Sequence, residues 1–236
     1  MKFKNTEVFN FEGALRGMRN PLQSHNKSDS HYWLPNEHIE EYEEMCNEDI
    51  GWEPYYIGDK DIELAQRLIL AGNEHAKFMR QIFVSVDITA PQFWWSEADT
   101  YKISTVANSS SKMHKISSTP ITLDCFETDD MDKEWLDSTG IEAACDTWIN
   151  DNIIYFLESL RQEYLRTKDI RYWKELIRWL PESWLQTRTW TANYAVLRNI
   201  YFQRRNHKLI EWHEFCDWVE TLPYAKELIT LEKKDV

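Results

Sequence analysis

The stretch from 96 to 113, SEADTYKISTVANSSSKM, concentrates side chains that can bind a negatively charged group. Lys102 and Lys112 enclose a row of hydroxyl and amide side chains, made up of Thr105, Asn108, Ser109, Ser110 and Ser111. Hydroxyl and backbone N–H groups donate hydrogen bonds to phosphate oxygens, and each lysine adds a mobile positive charge. The stretch therefore predicts a site for a compact anion such as a phosphate. A Ser-rich turn in solvent is the alternative.

A second polar segment, residues 13–31, repeats this chemistry. It carries Arg16, Arg19 and Lys27 among serines and asparagines. A segment this polar cannot bury itself, so it is either a mobile arm or a loop folded over a ligand. In the second case, Arg19 brings positive charge to the same anion.

Composition limits the kind of ligand. The chain has 236 residues and a formal net charge of −13. This charge argues against a general nucleic-acid binder, because phosphate backbones select basic surfaces. A small anion held by a local cluster of positive charges is compatible with it. The twelve Trp and eleven Tyr can fill a core, line a groove or form a subunit interface.

The cysteines and histidines show no spacing typical of a metal site. The four Cys form no CxxC pair, and the seven His form neither an HExxH motif nor an i, i+4 pair. We expect no metal and assign to packing the four cysteines, Cys46, Cys125, Cys145 and Cys216. No apolar run reaches membrane-spanning length, and the first residues, MKFKNTEVFNF, lack a signal-peptide core. The sequence predicts a cytoplasmic protein without a membrane partner.

The elements that must position these residues are mostly helical. Helical periodicity runs from Asp61 towards Phe78, and the alternating segment IFVSVDIT at 82–89 predicts a half-buried strand. Helical periodicity resumes at Gln92. Further predicted helices are 141–166, a segment ending at Leu180-Pro181, 185–205 and 208–221. Few strands among many helices predict an α+β fold. We expect a single domain over 1–236, with 1–57 its least certain part.

In these residues the chain resembles the flavin-dependent thymidylate synthases, the ThyX family. The family signature reads Arg-His-Arg-x-x-Ser, four residues, then Ser-x-Arg, after a strand and a short helix. Aligned without gaps, Thr100-Tyr101-Lys102 takes the place of Arg-His-Arg. Thr105, Ser110 and Lys112 take the places of the two serines and the final arginine, and His75 falls on an upstream family His. The two lysines keep the charge but not the bidentate fork of a guanidinium.

A second match lies in the C-terminal half. Family members carry a Leu-Pro, a Thr shortly after it, then an Asn and an Arg. This chain has Leu180-Pro181, Thr187, Asn193 and Arg204 in that order and at nearly that spacing. Two separate patterns in the same order support a resemblance over residues 60–215.

Several family arginines have no direct counterpart. One falls on Thr100, one on Ala195, and one on Ile177 beside Arg178. One helical residue is a rotation of about 100°, so Arg178 substitutes only if its helix is turned. Arg19 replaces a missing charge only if residues 13–31 fold over the ligand.

The resemblance implies a helix-rich fold with a small antiparallel sheet flanked by long helices, and a homotetramer that binds FAD between subunits. It implies transfer of a one-carbon unit from methylenetetrahydrofolate to dUMP or a related pyrimidine deoxynucleotide, without a cysteine nucleophile. The substrate-binding residues would be Lys102, Ser110, Lys112, Arg204, Arg178 and Arg19. The cofactor-binding residues would be His75, Thr105, Asn108 and Asn193.

Each of these residues also has a structural interpretation. His75 is compatible with a structural histidine, Arg204 with a solvated helix end, and Asn193 with a helix cap. The Trp94-Trp95 pair is either core or a stacking platform for a flavin or a base. The alternative function is a non-catalytic relative that binds a nucleotide or a partner protein.

Overall fold

The computed structural model describes residues 1–33, 50–52, 54–111, 116–128 and 149–232. Its helices are α1 (Phe11–Arg19), α2 (Asp59–Ala71), α3 (Gln92–Ala98), α4 (Tyr155–Thr167), α5 (Ile170–Arg178), α6 (Tyr194–Arg204) and α7 (Ile210–Glu220). Its strands are β1 (Lys2–Phe9), β2 (His31–Tyr32), β3 (Ile50–Trp52), β4 (Tyr55–Tyr56), β5 (Phe83–Pro91), β6 (Val106–Ser109) and β7 (Leu185–Asn193). The predicted helix-rich α+β class is confirmed. No helix among these residues is both long and apolar enough to cross a bilayer.

The contacts between residues group into two compact units, each built from separate segments of the chain. Unit 1 contains Met1–Ile88, Tyr101–Asn108 and Thr189–Val236, and unit 2 contains Thr89–Thr100 and Ser109–Arg188. The strands β5, β6 and β7 each pass from one unit into the other. The two units are described separately below.

The main sheet has five strands in the order β3-β1-β5-β7-β6. Strands β1 and β3 are parallel, with Thr6 opposite Ile50. Strands β5 and β7 run in opposite directions, since Asp87 accepts a hydrogen bond from Thr189 while Thr89 bonds with Thr187. A separate antiparallel pair joins β2 to β4.

The strand predicted at 82–89 is confirmed. Val84, Val86 and Ile88 of β5 are fully buried, while the residues between them are only partly so. The alternation of apolar and polar residues places one set of side chains on each face of the strand. The apolar set of β5 therefore belongs to the core of unit 1.

The single helix predicted at 185–205 is wrong in its first half. Residues Leu185–Asn193 form β7, and only Tyr194–Arg204 are helical. The sequence signal for the strand is the alternation of Thr187, Thr189 and Thr191, because β-branched residues at a period of two favour a pleated strand. Gln186, Trp190 and Ala192 occupy the opposite, buried positions.

The helix predicted to run from Asp61 towards Phe78 is shorter than expected. It ends at Ala71, and Gly72 follows with a φ of 132°. That φ is one that side-chain-bearing residues rarely adopt, so glycine is suited to end the helix here. His75 consequently lies in a turn after α2 and not on the helix itself.

Residues 13–31 do not form a mobile arm. Their first part belongs to α1, and the rest is tied to α2 through the buried carboxylate of Asp61. Arg19 Nε donates to Asp61 Oδ1 at 2.6 Å, and the hydroxyls of Ser28 and Ser30 each donate to Oδ2 at 2.6 Å. Burial opposes ionisation of Asp61, but these three hydrogen bonds hold the pKa of its carboxyl below the usual value.

Aromatic side chains make up much of the core of unit 1. Phe11 of α1 makes edge contacts with Tyr194 at 5.9 Å and with Tyr224 at 5.6 Å between ring centroids. Phe3 of β1 stacks on Trp218 of α7 at 5.0 Å. The high aromatic content is thus used for packing across unit 1, where edge and stacked ring pairs add to area burial.

Unit 2 has its own small core. Leu157 of α4 and Leu176 of α5 are fully buried there, beside Phe126. The helix predicted at 141–166 is confirmed where it is described, as a π-helical segment (Ile149–Ile154) leading into α4, while its beginning at 141–148 lies outside the described residues. The predicted break at Leu180-Pro181 is also confirmed, because α5 ends at Arg178.

A partly buried ion pair on α4 also contacts the backbone of Ser117, and it predicts an acid-sensitive contribution to stability. Glu158 binds the guanidinium of Arg161, which also donates to the Ser117 carbonyl at 2.9 Å. The hydrogen bond from Arg161 lowers the pKa of Glu158 from 4.5 to about 2. A carboxyl with a lowered folded-state pKa stabilises the fold above its unfolded pKa and loses this effect as pH falls through the folded value.

The wild-type chain should therefore lose more unfolding free energy than Glu158→Gln between pH 4.5 and about 2. Urea unfolding of both proteins across this range measures the difference. Because the other carboxyls titrate in both proteins, equal pH slopes would show that Glu158 is not coupled to folding.

Candidate functional site

The end of helix α6 places a guanidinium against two aromatic rings in unit 1. The Arg204 guanidinium carbon lies 5.6 Å from the ring centroid of Tyr101 and 4.6 Å from that of Trp212. Arg204 Nε donates to the Tyr101 hydroxyl at 2.8 Å, and this hydroxyl donates to Gln203 Oε1 at 3.0 Å. We call these residues the Arg204 cluster.

The Arg204 cluster joins the two sequence patterns. Tyr101 belongs to the tripeptide aligned with the family signature, and Arg204 ends the second match more than a hundred residues later. Trp212 was not a predicted site residue, because nothing in its local sequence distinguishes it from the core tryptophans. Contacts with the two rings and the hydrogen bond from Nε restrict the guanidinium, and a planar guanidinium held in this way can bind an anion.

The other predicted residues of unit 1 have simpler surroundings. Lys102 is exposed just before a turn and Asn108 is exposed on β6, while the Thr105 hydroxyl donates to the Tyr101 carbonyl. His75 has a half-exposed ring 3.5 Å from the Glu74 carboxylate. Asn193 is 3% exposed, and its Oδ1 accepts from the Val196 N–H at 3.0 Å, so it caps α6.

In unit 2, Gln186 of β7 connects the hydroxyl-rich stretch to α3. Its Nε2 donates to the Ser110 carbonyl at 2.7 Å, and its backbone carbonyl accepts from Trp95 Nε1 at 2.9 Å. Ser110 N–H also donates to the Thr187 carbonyl at 2.9 Å. These hydrogen bonds fix the backbone of Ser110, although the residue as a whole is exposed to solvent.

Arg188 is a cation of unit 2 that the sequence reasoning missed. Its guanidinium carbon lies 4.2 Å from the ring centroid of Trp95, and its Nη1 donates to both carboxylate oxygens of Asp99 at 2.8 and 3.1 Å. Its Nε donates to Gln186 Oε1 at 3.1 Å. The available signal is an arginine that alternates with threonines, and it becomes visible only once β7 is recognised as a strand.

Three predicted residues have structural partners or lie outside the described residues. The buried pair with Asp61 gives Arg19 a structural role, since its side chain is only 5% exposed and its guanidinium is occupied by that carboxylate. Arg178 pairs with Glu175 on the surface of α5. Lys112 lies outside the described residues.

The tryptophan pair and the cysteines are used for packing where they are described. Trp94 and Trp95 are each 1% exposed, which supports their interpretation as core. Burial raises the pKa of the Cys216 thiol to about 11, so it is not a thiolate at neutral pH. Cys46 and Cys145 lie outside the described residues. Within the described part of the chain, no three His, Cys, Asp or Glu side chains are grouped to hold a metal ion.

Comparison with known proteins identifies the fold. No protein-family model matches the chain, and no curated protein matches it. Among solved structures, the flavin-dependent thymidylate synthase ThyX from Helicobacter pylori complexed with FAD and dUMP is 16% identical with a TM-score of 0.63. A second structure of ThyX from Helicobacter pylori with FAD and dUMP is 15% identical with a TM-score of 0.65. Each match covers 98% of both chains. The resemblance to ThyX is therefore confirmed for the fold of this chain.

Proposed function

We propose that this chain is an FAD-dependent thymidylate synthase-like enzyme that methylates dUMP or a related pyrimidine deoxynucleotide with methylenetetrahydrofolate. The observation that carries the proposal is the Arg204 cluster, in which the two signature-like segments meet in a chain with the ThyX fold. We also propose that it works as a homotetramer in the cytoplasm, as the resemblance implies.

In this proposal, Arg204 binds the phosphate of the nucleotide. A planar guanidinium held by Tyr101 and Trp212 has already lost much of its rotamer freedom, so binding a phosphate costs less entropy. Lys102, Ser110, Lys112 and Arg178 are proposed to add charge and hydroxyl donors for the substrate. Arg19 is left out, because its guanidinium is occupied by Asp61.

The residues proposed to bind FAD are His75, Thr105, Asn108 and Asn193. Hydroxyl, amide and imidazole donors of this kind suit the polar edges and phosphates of a flavin nucleotide. Bound FAD would supply the reducing equivalent, so the chain's own residues have to bind and orient the reactants. A buried thiol with a raised pKa fits a reaction without a cysteine nucleophile.

The purified full chain should bind FAD and dUMP. We expect an absorbance band at about 450 nm that stays with the protein during gel filtration, and dUMP binding by calorimetry. With reduced FAD and methylenetetrahydrofolate, mass spectrometry should detect dTMP formed from dUMP.

Colourless protein that refuses added FAD but binds dUMP would instead support the non-catalytic nucleotide-binding relative. The replacement of the family's Arg-His-Arg by Thr100-Tyr101-Lys102 is the feature that favours this second function. Protein that binds neither ligand would overturn both and leave a partner-binding role for the fold.

A further inference from the structure

Three groups hold the guanidinium of Arg188 in place, and it still has N–H groups that can donate hydrogen bonds. Trp95 lies against its face, Asp99 accepts from Nη1, and Gln186 accepts from Nε. Among the described residues Nη2 donates to no partner, and it is not one of the buried polar atoms left without one, so solvent reaches it. The Nη2 N–H groups of a fixed guanidinium can therefore still donate hydrogen bonds.

The surroundings of Arg188 are more elaborate than a surface ion pair requires. The Arg188 side chain is 12% exposed, whereas that of Asp99 is 55% exposed, so solvent screens their attraction. Stability alone gives little reason to bury a guanidinium against such a partner. A role in binding gives a reason, because the three contacts hold the guanidinium in position to bind an anion without further ordering.

Ser110 shares the support of Arg188. Gln186, which is 6% exposed, accepts from Arg188 through Oε1 and donates to the Ser110 carbonyl through Nε2. One buried amide thus fixes both the guanidinium and the exposed hydroxyl-rich segment. A serine on a segment that shares this support with a guanidinium adds a hydroxyl donor, and the two donor types together suit a phosphate group.

We propose that Arg188, together with Ser110, binds a phosphate group of the ligand and supplies a guanidinium on β7 that the sequence lacks at Thr100. The inference rests on the proposed function, and it names the phosphate ester as the chemistry recognised. The phosphate comes either from the deoxynucleotide or from FAD, and binding each ligand separately tells the two sources apart.

The test compares Arg188→Gln, Arg188→Lys and Asp99→Asn in the full chain, with Arg171→Gln as the matched control. Arg171 is also an arginine of unit 2 paired with a carboxylate, that of Asp169, but it lies on the open surface at the start of α5. Calorimetry is run with dUMP and with FAD, and again with deoxyuridine and riboflavin, which lack the phosphate. Thermal melting checks that each variant folds.

Arg188→Gln should weaken binding of one phosphate-bearing ligand by about tenfold to a hundredfold, the range for a lost charge-assisted hydrogen bond. Binding of its dephosphorylated counterpart should not change, and Arg171→Gln should bind every ligand as the wild type does. Arg188→Lys should recover part of the affinity, because it keeps the charge without the fork. Asp99→Asn should keep or raise the affinity, since it removes a competing negative charge.

Equal affinities for wild type and Arg188→Gln would overturn the inference. So would a loss in Asp99→Asn as large as that in Arg188→Gln, because this is the pattern of a merely structural ion pair. If the wild type binds neither FAD nor dUMP, the proposed function fails separately. Inorganic pyrophosphate then tests the anion site, and Arg188→Gln must bind it more weakly than Arg171→Gln does for the inference to stand.

Discussion

Replacing Asp61 with Ala should lower the free energy of unfolding by about 3–5 kcal/mol, the usual cost of breaking a buried ion pair by removing one partner. The Asp61 side chain is 0% exposed and that of Arg19 is 5% exposed. Without the carboxylate, the guanidinium is left buried with only the longer bonds to Ser24, at 3.4 and 3.5 Å. Urea unfolding measures the loss.

The same substitution should release residues 20–31 from α2, because the hydroxyls of Ser28 and Ser30 lose the oxygen they share. Limited trypsin digestion should then cut faster after Lys27. Asp59→Ala is the matched control, since Asp59 is an exposed carboxylate in the first turn of the same helix. Its loss should cost at most about 1 kcal/mol through the helix dipole.

The double variant Arg19→Met with Asp61→Leu separates charge from packing. Replacing a buried ion pair by apolar residues of similar size is often neutral, so it should recover most of the lost stability. If Asp61→Ala is no less stable than Asp59→Ala, the buried pair does not hold residues 13–31 in place.

Arg204→Ala should weaken dUMP binding by about tenfold to a hundredfold, while the melting temperature changes little. The lost interaction is a charge-assisted contact with the phosphate, worth about 1.5–3 kcal/mol. Arg204→Lys should bind with intermediate affinity, because a lysine cannot keep the planar contacts with Tyr101 and Trp212. Calorimetry with dUMP and with deoxyuridine measures the effect and its dependence on the phosphate.

Arg205→Ala is the control for Arg204→Ala. Arg205 follows in the sequence but pairs with Glu232 on the surface, so its loss should leave dUMP affinity unchanged. Unchanged affinity in Arg204→Ala, in a protein that does bind dUMP, would remove Arg204 from the proposed site. Tyr101→Phe tests the positioning, since it deletes only the hydroxyl that accepts from Arg204 Nε.

Local sequence patterns predicted the secondary structure correctly where one periodicity dominated. The alternation at 82–89 identified β5, and the proline at 181 correctly ended α5. The prediction for 185–193 was wrong because its strand signal, three alternating threonines, lies directly before a true helix. A single pattern was therefore extended over both elements. Tertiary pairing with β5 stabilises β7 in the extended form.

The candidate site divides in the same way. The residue types and spacing were enough to select Arg204 and the tripeptide around Tyr101, because charge and hydrogen-bonding capacity belong to the side chains themselves. They were not enough to assign Arg19 or Arg188. Each is a guanidinium whose role depends on which atom, distant in the sequence, lies within about 3 Å of it.

The sequence by itself determined the helix-rich class, the buried face of β5 and the chemical nature of the groups that are proposed to bind an anion. Only the tertiary structure decided that Asp61 occupies Arg19, that Tyr101 and Trp212 hold Arg204, and that Trp95 holds Arg188. The physical reason is the separation along the chain between the residues that interact. Local periodicity depends on neighbouring residues, whereas burial and long-range packing choose the partner of a guanidinium. They bring together Arg19 and Asp61, 42 residues apart, and Arg204 and Tyr101, 103 residues apart.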